Sequence, residues 1–547
     1  MKQQVLKIHA ADNVLVALTN LSKGTTIIFE NETYELQEDI RAKHKFFTKD
    51  MQPGDKVIMY GVLVGTAQSF IPKGGWMSTA NVKHAVEPYV WRKTDYQWTA
   101  PDTSNFVGRT FNGYHRSNGE VGTANYWLFI PTVFCENRNL DVIREALHNE
   151  LGYAVTDKYK RYTHQLAEAF KNGENIETVN LFEIPLQGGT ARPFKNVDGI
   201  KFLNHQGGCG GTRQDAAILS KLLAAYANHP NVGGITLLSL GCQNLQVPDF
   251  MNDLKTLDPA FNKLLYIFEQ QQSQSEEQLI ADAIKKTFEG LIEINKLERK
   301  PASLNKLCIG VKCGGSDGFS GISANPAVGY TSDLVVALGG KILLAEFPEL
   351  CGAEQNLLDR TSDQAVAGKF IHLMQAYSES ALKAGSGFHM NPSPGNIKDG
   401  LITDAIKSTG AAKKGGTSPV VDVLDYTEPA TKPGLSLVCT PGNDVEATTG
   451  QAASGATLIL FTTGLGTPTG NPVSPTIKVS TNSNLTKRMN DIIDIDTGAI
   501  IEGEKTIEQM GEQILEYCIK AASGEVIPKA VLLNQDDFIP WKRGVSL

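Results

Sequence analysis

Imidazole, thiol and carboxylate side chains recur in this chain at glycine-rich segments that directly follow apolar, β-branched runs. Such groups bind metal ions and transfer protons. Glycine at these points lets the backbone turn sharply and approach a ligand closely. Six runs end in this way, which indicates one site built from several segments. The chemically capable residues in the segments are His205, Cys209, Cys242, Cys313, Asp317, Glu346, Glu349 and Asp444.

Each glycine-rich segment follows a run that is predicted to be a β-strand. Stretches with helical spacing, such as ILSKLLAAYANH at 218–229, alternate with the runs, which is typical of βαβ units and a mostly parallel sheet. In open α/β sheets, ligands bind in the crevice beyond the carboxyl ends of the strands, where we expect the segments to meet. The runs are IKFL (200–203), GGITLLSL (233–240), LCIGV (307–311), LVVALGGKILL (334–344), LSLVC (435–439) and LILF (458–461).

The 547 residues are too many for one hydrophobic core, and they divide into segments that differ in composition and hydrophobic periodicity. Residues 1–90 alternate short β-type runs with turns, which predicts a small β module, and 91–110 are polar and aperiodic, which predicts a linker. Two α/β domains with mostly parallel sheets are predicted over 111–272 and 273–547. An amphipathic helix predicted over 275–298 would bridge them. The expected fold class is therefore α/β with a small N-terminal β module.

Composition excludes several classes of protein. The net charge of -8 argues against a nucleic-acid partner and a polybasic membrane surface. No run approaches the roughly 20 apolar residues of a membrane span. The first residues, MKQQVLKIHAADN, lack the apolar segment of a secretory signal. Eight cysteines are too sparse for a disulfide scaffold. We expect a cytoplasmic protein with reduced thiols and no nucleic-acid or membrane partner.

The glycine-rich segments match none of the common catalytic or nucleotide-binding motifs. GGCGGT lacks the spacing of a phosphate loop, and GLGTPTG lacks that of a dinucleotide-binding turn. GGSDG follows a predicted strand but spaces its glycines differently from the nucleophile elbow of serine hydrolases. These differences disfavour nucleotide binding and serine hydrolysis.

The polar groups suit a metal-assisted acid/base reaction better. Dehydration of a hydroxy acid needs a cation on the carboxylate, a base for the α proton and an acid for the leaving hydroxyl. Structural interpretations stay open: His205 and Asp317 as capping groups, and Cys209 as a packing residue. Glu346 and Glu349 could equally be solvated charges at loop ends. Three lysines near GGTSP could bind a carboxylate or be solvated at the surface: Lys407, Lys413 and Lys414. For Lys413 we prefer the solvated interpretation.

Several long strings in the chain resemble the altronate/galactarate dehydratase family. ADNVLVAL (11–18) and YGVLVGTA (60–67) resemble its N-terminal β-clip module of the SAF type, and GYHRSNGEVGTANYW (113–127) resembles the start of its second domain. The resemblance runs over nearly the whole chain. Its most specific strings are CGGSDGFSGISANP (313–326), EFPELCGAEQ (346–355), NPSPGN (391–396), TPGNDVEATT (440–449) and FTTGLGTP (461–468).

The resemblance implies a hydro-lyase that converts a small sugar acid, D-altronate foremost, to 2-keto-3-deoxy-D-gluconate and water in hexuronate catabolism. It also implies a divalent metal, Fe²⁺ or Mn²⁺. Catalytic roles are expected for His205, Asp317, Glu346, Glu349 and Lys407, substrate binding for His44, Ser316, Asn391, Asn443 and Asp444, and metal binding for Cys209, Cys242 and Cys313.

The sequence departs from the family pattern at several positions. Ser78, Thr79, Ala80 and Asn81 stand where the family has a histidine-rich H-x-H-N segment, so only the asparagine is kept. The other departures are Ala124 for an arginine, Gln243 for a glutamate, and Ala405 with Ile406 for an acidic pair. These departures indicate an altered or moved metal site.

Alternatives therefore remain beside D-altronate dehydration. The substrate could be another sugar acid such as galactarate. Cys209, Cys242 and Cys313 could hold an iron–sulfur cluster, although they lack a local C-x-x-C spacing. The chain could also be a non-catalytic paralogue that binds sugar acids. A homo-oligomer is a further expectation.

Overall fold

The computed structural model describes residues 3–155, 158–184, 191–361 and 363–546. The chain forms two compact units. Unit 1 contains residues 1–123, 300–531 and 535–543, and unit 2 contains 124–299, 532–534 and 544–547.

The N-terminal part of unit 1 is built from short antiparallel strands, as predicted, and its described residues up to 90 contain no helix. Its apolar side chains face inward, with Val14, Phe47 and Val64 almost fully buried. The strands are β1 Val5–Leu6, β2 Val14–Ala17, β3 Thr26–Phe29, β4 Glu32–Glu35, β5 Lys45–Phe47, β6 Lys56–Met59, β7 Val62–Ala67 and β8 Val82–Lys83, followed by β9 Thr110–His115 and β10 Val121–Gly122.

Unit 2 is a parallel sheet with helices, which confirms an α/β fold here. The strand order is β12-β11-β13-β14, and every described pair is parallel. The elements are β11 Tyr126–Pro131, α1 Asn137–Glu150, α2 Lys158–Lys171, β12 Gly199–Phe202, α3 Arg213–Asn228, β13 Val232–Ser239, α4 Val247–Leu257, β14 Leu264–Glu269 and α5 Glu276–Ile294.

Helix α5, predicted over 275–298, packs within the core of unit 2. Ser275 caps its first turn by accepting a hydrogen bond from the backbone N–H of Gln278. The Trp127 ring lies against both Gly234 and Gly290, where an added Cβ would come within 2.3 and 2.0 Å of ring atoms. Glycine at both positions therefore lets the ring lie between β13 and α5. The helix thus belongs to unit 2, although the sequence placed it after a boundary at 272.

The remainder of unit 1 is a second α/β assembly. Its elements are β15 Lys300–Ser303, β16 Cys308–Cys313, α6 Ala324–Ala337, β17 Lys341–Leu344, α7 Glu354–Asp359, α8 Gln364–Lys383, α9 Pro394–Lys398, α10 Asp404–Ala412, β18 Val420–Leu424, β19 Gly434–Val438, α11 Asp444–Ala453, β20 Leu458–Thr463, β21 Thr476–Ser480, α12 Ser483–Arg488, β22 Ile495–Asp496, α13 Gly498–Ile501, α14 Ile507–Ala522 and α15 Lys529–Leu532.

The apolar run at 334–344 is only partly a strand. Its first half ends helix α6, and Gly339 at φ 85° turns the chain into β17. Helix α6 is buried along most of its length, so its end is as apolar as the strand that follows. A continuous apolar run does not distinguish a buried helix from a buried strand.

The large sheet of unit 1 places β16 at a switch in connectivity. The order of its described strands is β18-β19-β17-β16-β20-β21-β22, and all pairs are parallel. From β16 the chain builds one side of the sheet, then returns with β20 to build the other. Such a switch opens a crevice at the carboxyl ends of the two central strands.

The N-terminal β module packs against the start of α10 within unit 1. Val64 and Met59 share a buried apolar cluster with Leu401, Ala405 and Ile406. This packing accounts for apolar residues at 405 and 406. The contact is also polar: Lys45 Nζ donates to the carbonyl of Gly400 at 2.6 Å, and Thr403 Oγ1 donates to that of Val64 at 2.8 Å.

Candidate active site

Three loops at the carboxyl edge of the large sheet bring the predicted residues of unit 1 together. Cys313 ends β16, Glu346 and Glu349 follow β17, and Asn443 and Asp444 follow β19 and begin α11. Glu346 has a left-handed backbone, with φ 74°. A non-glycine residue in this conformation costs of order 1–3 kcal/mol, and such strain clusters at functional sites.

A cavity of about 480 Å³ opens at this edge, and we call it the sheet-edge cavity. The groups that line it come from the loops after β16, β17 and β19 and from the segments around α9 and α10. The lining includes Cys313, Gly314, Gly315, Ser316, Glu349, Ser393, Asn396, Lys407, Asn443 and Asp444.

Three lysines face the carboxylates of this site. Lys407 Nζ lies 2.7 Å from Glu349 Oε1. Lys312 forms an ion pair with Glu346 and lies 2.8 Å from Asp444 Oδ1. Lys414, with its side chain fully buried, lies 3.7 Å from Glu346 Oε2. In this low-dielectric environment each ammonium strongly favours the ionised form of a neighbouring carboxylate.

The two glutamates titrate in opposite directions. Burial and the nearby charge of Glu349 raise the pKa of Glu346, because the opposing lysine charges do not fully offset these effects. Burial also acts to raise the pKa of Glu349, but the charges of Lys407, Lys312 and Lys414 outweigh it, and that pKa is lowered. Carboxyl pairs with pKa values pushed apart are typical of acid/base sites. Glu349, which lines the cavity, is the one kept ionised.

Cys313 and Ser316 present neutral donors to the same cavity. Cys313 Sγ lies 3.7 Å from Glu349 Oε2 and 3.2 Å from Lys414 Nζ. Burial raises the pKa of the Cys313 thiol, so it is protonated at neutral pH. The Ser316 hydroxyl is buried at the cavity wall and has no hydrogen-bond partner among the described residues. An unpaired buried hydroxyl is well suited to a substrate hydroxyl.

The remaining predicted residues of unit 1 support the site or lie outside the cavity lining. Asp317 is buried and accepts hydrogen bonds from the loop residue Phe319 and from Thr481, while Lys43 lies 2.9 Å from it. Asn443 caps α11. Asn391 Oδ1 accepts a hydrogen bond from Lys407 at 2.9 Å and so helps to position that ammonium.

His44 lies where the N-terminal module meets the segment before α10. Its Nε2 is 3.0 Å from the carbonyl of Lys398, and its Nδ1 accepts a hydrogen bond from Trp76 Nε1 at 3.3 Å. Protein groups therefore occupy both ring nitrogens. Substrate binding by His44 stays a prediction.

Three predicted residues belong to unit 2. His205 is buried, its Nε2 is 2.8 Å from the carbonyl of Pro131, and its Nδ1 accepts a hydrogen bond from the backbone N–H of Gly207. Burial lowers its pKa to about 4, so the ring is neutral. Cys209 and Cys242 are exposed. The catalytic role of His205 and the metal-binding roles of both cysteines stay predictions.

Gln243, which departs from the family pattern, also lies in unit 2. It is buried, and its amide donates hydrogen bonds to Thr132 Oγ1 at 3.0 Å and Ser239 Oγ at 2.8 Å. A glutamate could not donate both bonds, so Gln243 serves the local packing here.

Sequence reasoning missed two groups of the site and misplaced one lysine. Lys312 directly follows the run 307–311 that predicts a strand, and the observed strand β16 extends past it to Cys313. Nothing in the sequence signalled that its ammonium is buried. Asn396 donates to the carbonyl of Ser316 at 2.8 Å, and its motif NPSPGN was the available signal. Lys413 is not a solvated surface residue: its ammonium lies 4.7 Å from the centre of the Tyr60 ring.

Two groups of described residues bring three possible metal donors within 4.8 Å of one another. One is Cys313, Glu346 and Glu349, and the other is His84, Cys351 and Asp404. In the first group an ammonium already lies against every donor. A divalent cation among three ammonium groups would be repelled strongly at low dielectric. The first group, in this arrangement, does not fit Fe²⁺ or Mn²⁺.

Comparison with known proteins gives matches along the whole chain. The altronate/galactarate dehydratase SAF domain matches residues 3–85, the second domain of D-galactarate dehydratase/altronate hydrolase matches 113–295, and the C-terminal domain of D-galactarate/altronate dehydratase matches 304–546. An altronate dehydratase of Escherichia coli (strain K12) is 34% identical over 555 residues, which cover 100% of both chains. The chain belongs to the altronate/galactarate dehydratase family.

Two further relatives of the family are similarly close. An altronate dehydratase of Bacillus subtilis (strain 168) is 33% identical over 545 residues, or 99% of each chain. A galactarate dehydratase (L-threo-forming) of E. coli (strain K12) is 30% identical over 526 residues, or 95% of this chain and 93% of the relative. The predicted family and the hydro-lyase class are confirmed. Among the described residues, no helix is long and apolar enough to cross a membrane.

Proposed function

We propose that this chain dehydrates a sugar acid, D-altronate foremost, to 2-keto-3-deoxy-D-gluconate and water in the sheet-edge cavity. The family membership supports the reaction class, since relatives named altronate dehydratase match the full chain. One observation carries the assignment of the site: Glu349 is kept ionised by lysines at the wall of the cavity, beside the protonated thiol of Cys313.

In the proposed reaction Glu349 is the base. Its carboxylate takes the proton from C2, and the electron pair left at C2 forms the C2=C3 double bond as the C3–O bond breaks. The Lys407 ammonium lines the cavity and attracts the substrate carboxylate, where negative charge accumulates in the transition state. The resulting enol tautomerises to the 2-keto-3-deoxy acid.

Cys313 is the proposed proton donor to the leaving hydroxyl, which departs as water. Lys407 is less suited, because its ammonium is held by Glu349 and Asn391. The thiolate left on Cys313 is stabilised by Lys414, whose Nζ is 3.2 Å from Sγ. The proton that Glu349 took passes through solvent to the Cys313 thiolate, which restores both residues for the next turnover. Glu346 is a positioning residue, since it is fully buried between Lys312 and Lys414.

Dependence on Fe²⁺ or Mn²⁺ stays a prediction from the family resemblance. The donors at the cavity are already paired with ammonium groups, so no step of the reaction is assigned to a metal. Lysines can supply the positive charge that a metal would otherwise place on the substrate carboxylate.

The substrate and the reaction are tested together by a panel of hexonates and hexarates. Purified full-length protein is incubated with each acid, with and without Fe²⁺ or Mn²⁺, and 2-keto-3-deoxy product is measured. We expect turnover of D-altronate well above that of the other acids. Preferred turnover of galactarate would support the alternative dehydratase. Tight binding with no keto product under any condition would instead favour a sugar-acid-binding paralogue.

Three further expectations accompany this proposal. They are a place in hexuronate catabolism, a cytoplasmic location and assembly into a homo-oligomer.

A further inference from the structure

The second group of metal donors lies within unit 1, apart from the lining of the sheet-edge cavity. His84 follows β8 in the N-terminal module, Cys351 follows the short turn Phe347–Leu350, and Asp404 is the first residue of α10. One donor atom from each lies within 4.8 Å of the other two. Three distant sequence segments therefore present an imidazole, a thiol and a carboxylate to one point.

Asp404 has no adequate partner for its charge. Its side chain is 1% exposed, and Oδ1 accepts a hydrogen bond from Ser408 Oγ at 3.0 Å. Oδ2 is buried and has no nitrogen or oxygen donor among the described residues, and the further hydrogen bond of this carboxyl is with the thiol of Cys351, itself one of the three donors. No ion pair among those residues involves Asp404, in contrast to every carboxylate in the sheet-edge cavity. A buried carboxylate in this state calls for a missing cation or a retained proton.

The other two side chains are oriented towards the same place. The backbone N–H of Ala405 donates a hydrogen bond to His84 Nδ1 at 3.4 Å, which holds the imidazole at the start of α10, where Asp404 lies. Cys351 is buried, and its thiol forms a hydrogen bond with the carboxyl of Asp404. A metal cation there would favour the thiolate, because coordination deprotonates a thiol.

We propose that His84, Cys351 and Asp404 bind one divalent transition-metal ion of the zinc type. Imidazole, thiolate and carboxylate groups are the side chains that bind Zn²⁺ in proteins, and catalytic zinc sites combine three protein ligands with a water in the fourth position. No ammonium lies against these donors among the described residues, which removes the obstacle found at Cys313, Glu346 and Glu349.

The ion would fasten the N-terminal module to the α/β part of unit 1. His84 comes from the module, whereas Cys351 follows the turn that carries Glu349, and Asp404 begins α10, the helix that carries Lys407. Asp404 is one helical turn before Lys407, and Cys351 is two residues after Glu349. An ion that binds the folded chain but not the unfolded chain would stabilise the fold by mass action.

The test uses the full chain after removal of bound metal with a chelator. Co²⁺ is added, and the thiolate-to-cobalt absorption band is followed, with Zn²⁺ as the competitor. We expect one Co²⁺ per chain with a thiolate band, displaced by one Zn²⁺, and a higher thermal midpoint with Zn²⁺. Cys351→Ser should abolish the band and the thermal shift, and Asp404→Asn should weaken Co²⁺ binding at least tenfold.

Matched variants separate this site from the other thiols. Cys518→Ser, at a fully buried cysteine of α14, and Cys313→Ser should both keep the band. Far-ultraviolet circular dichroism establishes that each variant is folded. If Cys351→Ser is unfolded, the folded His84→Gln and Asp404→Asn variants decide instead. An unchanged band in those variants, or a band lost in Cys313→Ser and kept in Cys351→Ser, would overturn the proposal. These outcomes are independent of sugar-acid turnover.

Discussion

At the scale of single residues, the candidate site depends on the different pKa values of two buried glutamates. Glu349 meets the ammonium of Lys407 at 2.7 Å, whereas Glu346 shares its lysines with other groups and keeps the higher pKa. The sequence located both acids after a strand, because EFPE follows an apolar run. It could not assign their pKa values, because these depend on Lys312, Lys407 and Lys414, which come from other segments.

Lys407→Met is expected to lower kcat/KM by about 10²-fold or more, since it removes a charge from both Glu349 and the substrate carboxylate. The lysine holds the pKa of Glu349 below its ordinary value. Its loss lets that pKa rise, so the acidic limb of the kcat/KM profile should move to higher pH. A pH-rate profile measures both effects. Lys369→Met, which removes a partly exposed partner of Glu428, is the control. An acidic limb that does not shift would contradict the assignment of Glu349 as the base.

Cys313→Ser is expected to lower kcat by at least ~10²-fold while the fold is kept, because the proton donor becomes a poorer acid. Cys518→Ala, at a buried position of α14, should change the rate little. Steady-state rates for both variants, with circular dichroism as the check on folding, decide the matter. Near-native kcat for Cys313→Ser would show that this thiol does no more than pack.

At the scale of elements, strand ends position the site and glycines make room for it. The strands were predictable because short apolar runs ended at glycine-rich turns, as at β16 and β20. The helix–strand boundary near Gly339 was not, because α6 and β17 are equally apolar. The docking of β7 against the start of α10 was not predictable either, because it joins residues more than 300 positions apart.

Gly314→Ala should damage the site, because an added Cβ would lie 2.4 Å from Asp444 Oδ2 and 2.5 Å from the Phe461 ring. Asp444 would be pushed away from Lys312, and kcat/KM should fall by at least about tenfold. Gly368→Ala in α8 is the control, since nothing lies within 4 Å of its added Cβ and alanine favours a helix by roughly 0.5–1 kcal/mol. Equal rates for the two variants would contradict the close packing described for β16.

His205 should make the stability of its surroundings depend on pH. Its pKa is about 4 in the folded chain, below its ordinary 6.5, so the unfolded chain binds the proton first as pH falls. Stability should therefore decrease between pH 6.5 and 4, by about 3 kcal/mol from this group. Urea unfolding of wild type and His205→Gln across this range tests the effect, and the variant should show the shallower slope. His164→Gln, at an exposed position of α2, should match wild type. Identical pH slopes of the unfolding free energy for all three proteins would refute the predicted effect of His205.

At the scale of the whole molecule, segments hundreds of residues apart in the chain supply one cavity in unit 1. The loops after β16, β17 and β19 and residues of α9 and α10 all reach its lining. The family resemblance identified these segments by their motifs. His205, Cys209 and Cys242 lie in unit 2, within the stretch 111–272 for which the sequence predicts a domain of its own. Their separation from the sheet-edge cavity was missed because glycine-rich turns after strands look alike in both sheets.

The central claim is that Glu349 removes the C2 proton of a sugar acid in the sheet-edge cavity. Release of deuterium from D-altronate labelled at C2 measures this step directly, with wild type compared with Glu349→Gln. Wild type should release the label as 2-keto-3-deoxy-D-gluconate forms, and Glu349→Gln should be slower by about 10²–10⁴-fold in both. Release of the label by folded Glu349→Gln at the wild-type rate would contradict the account.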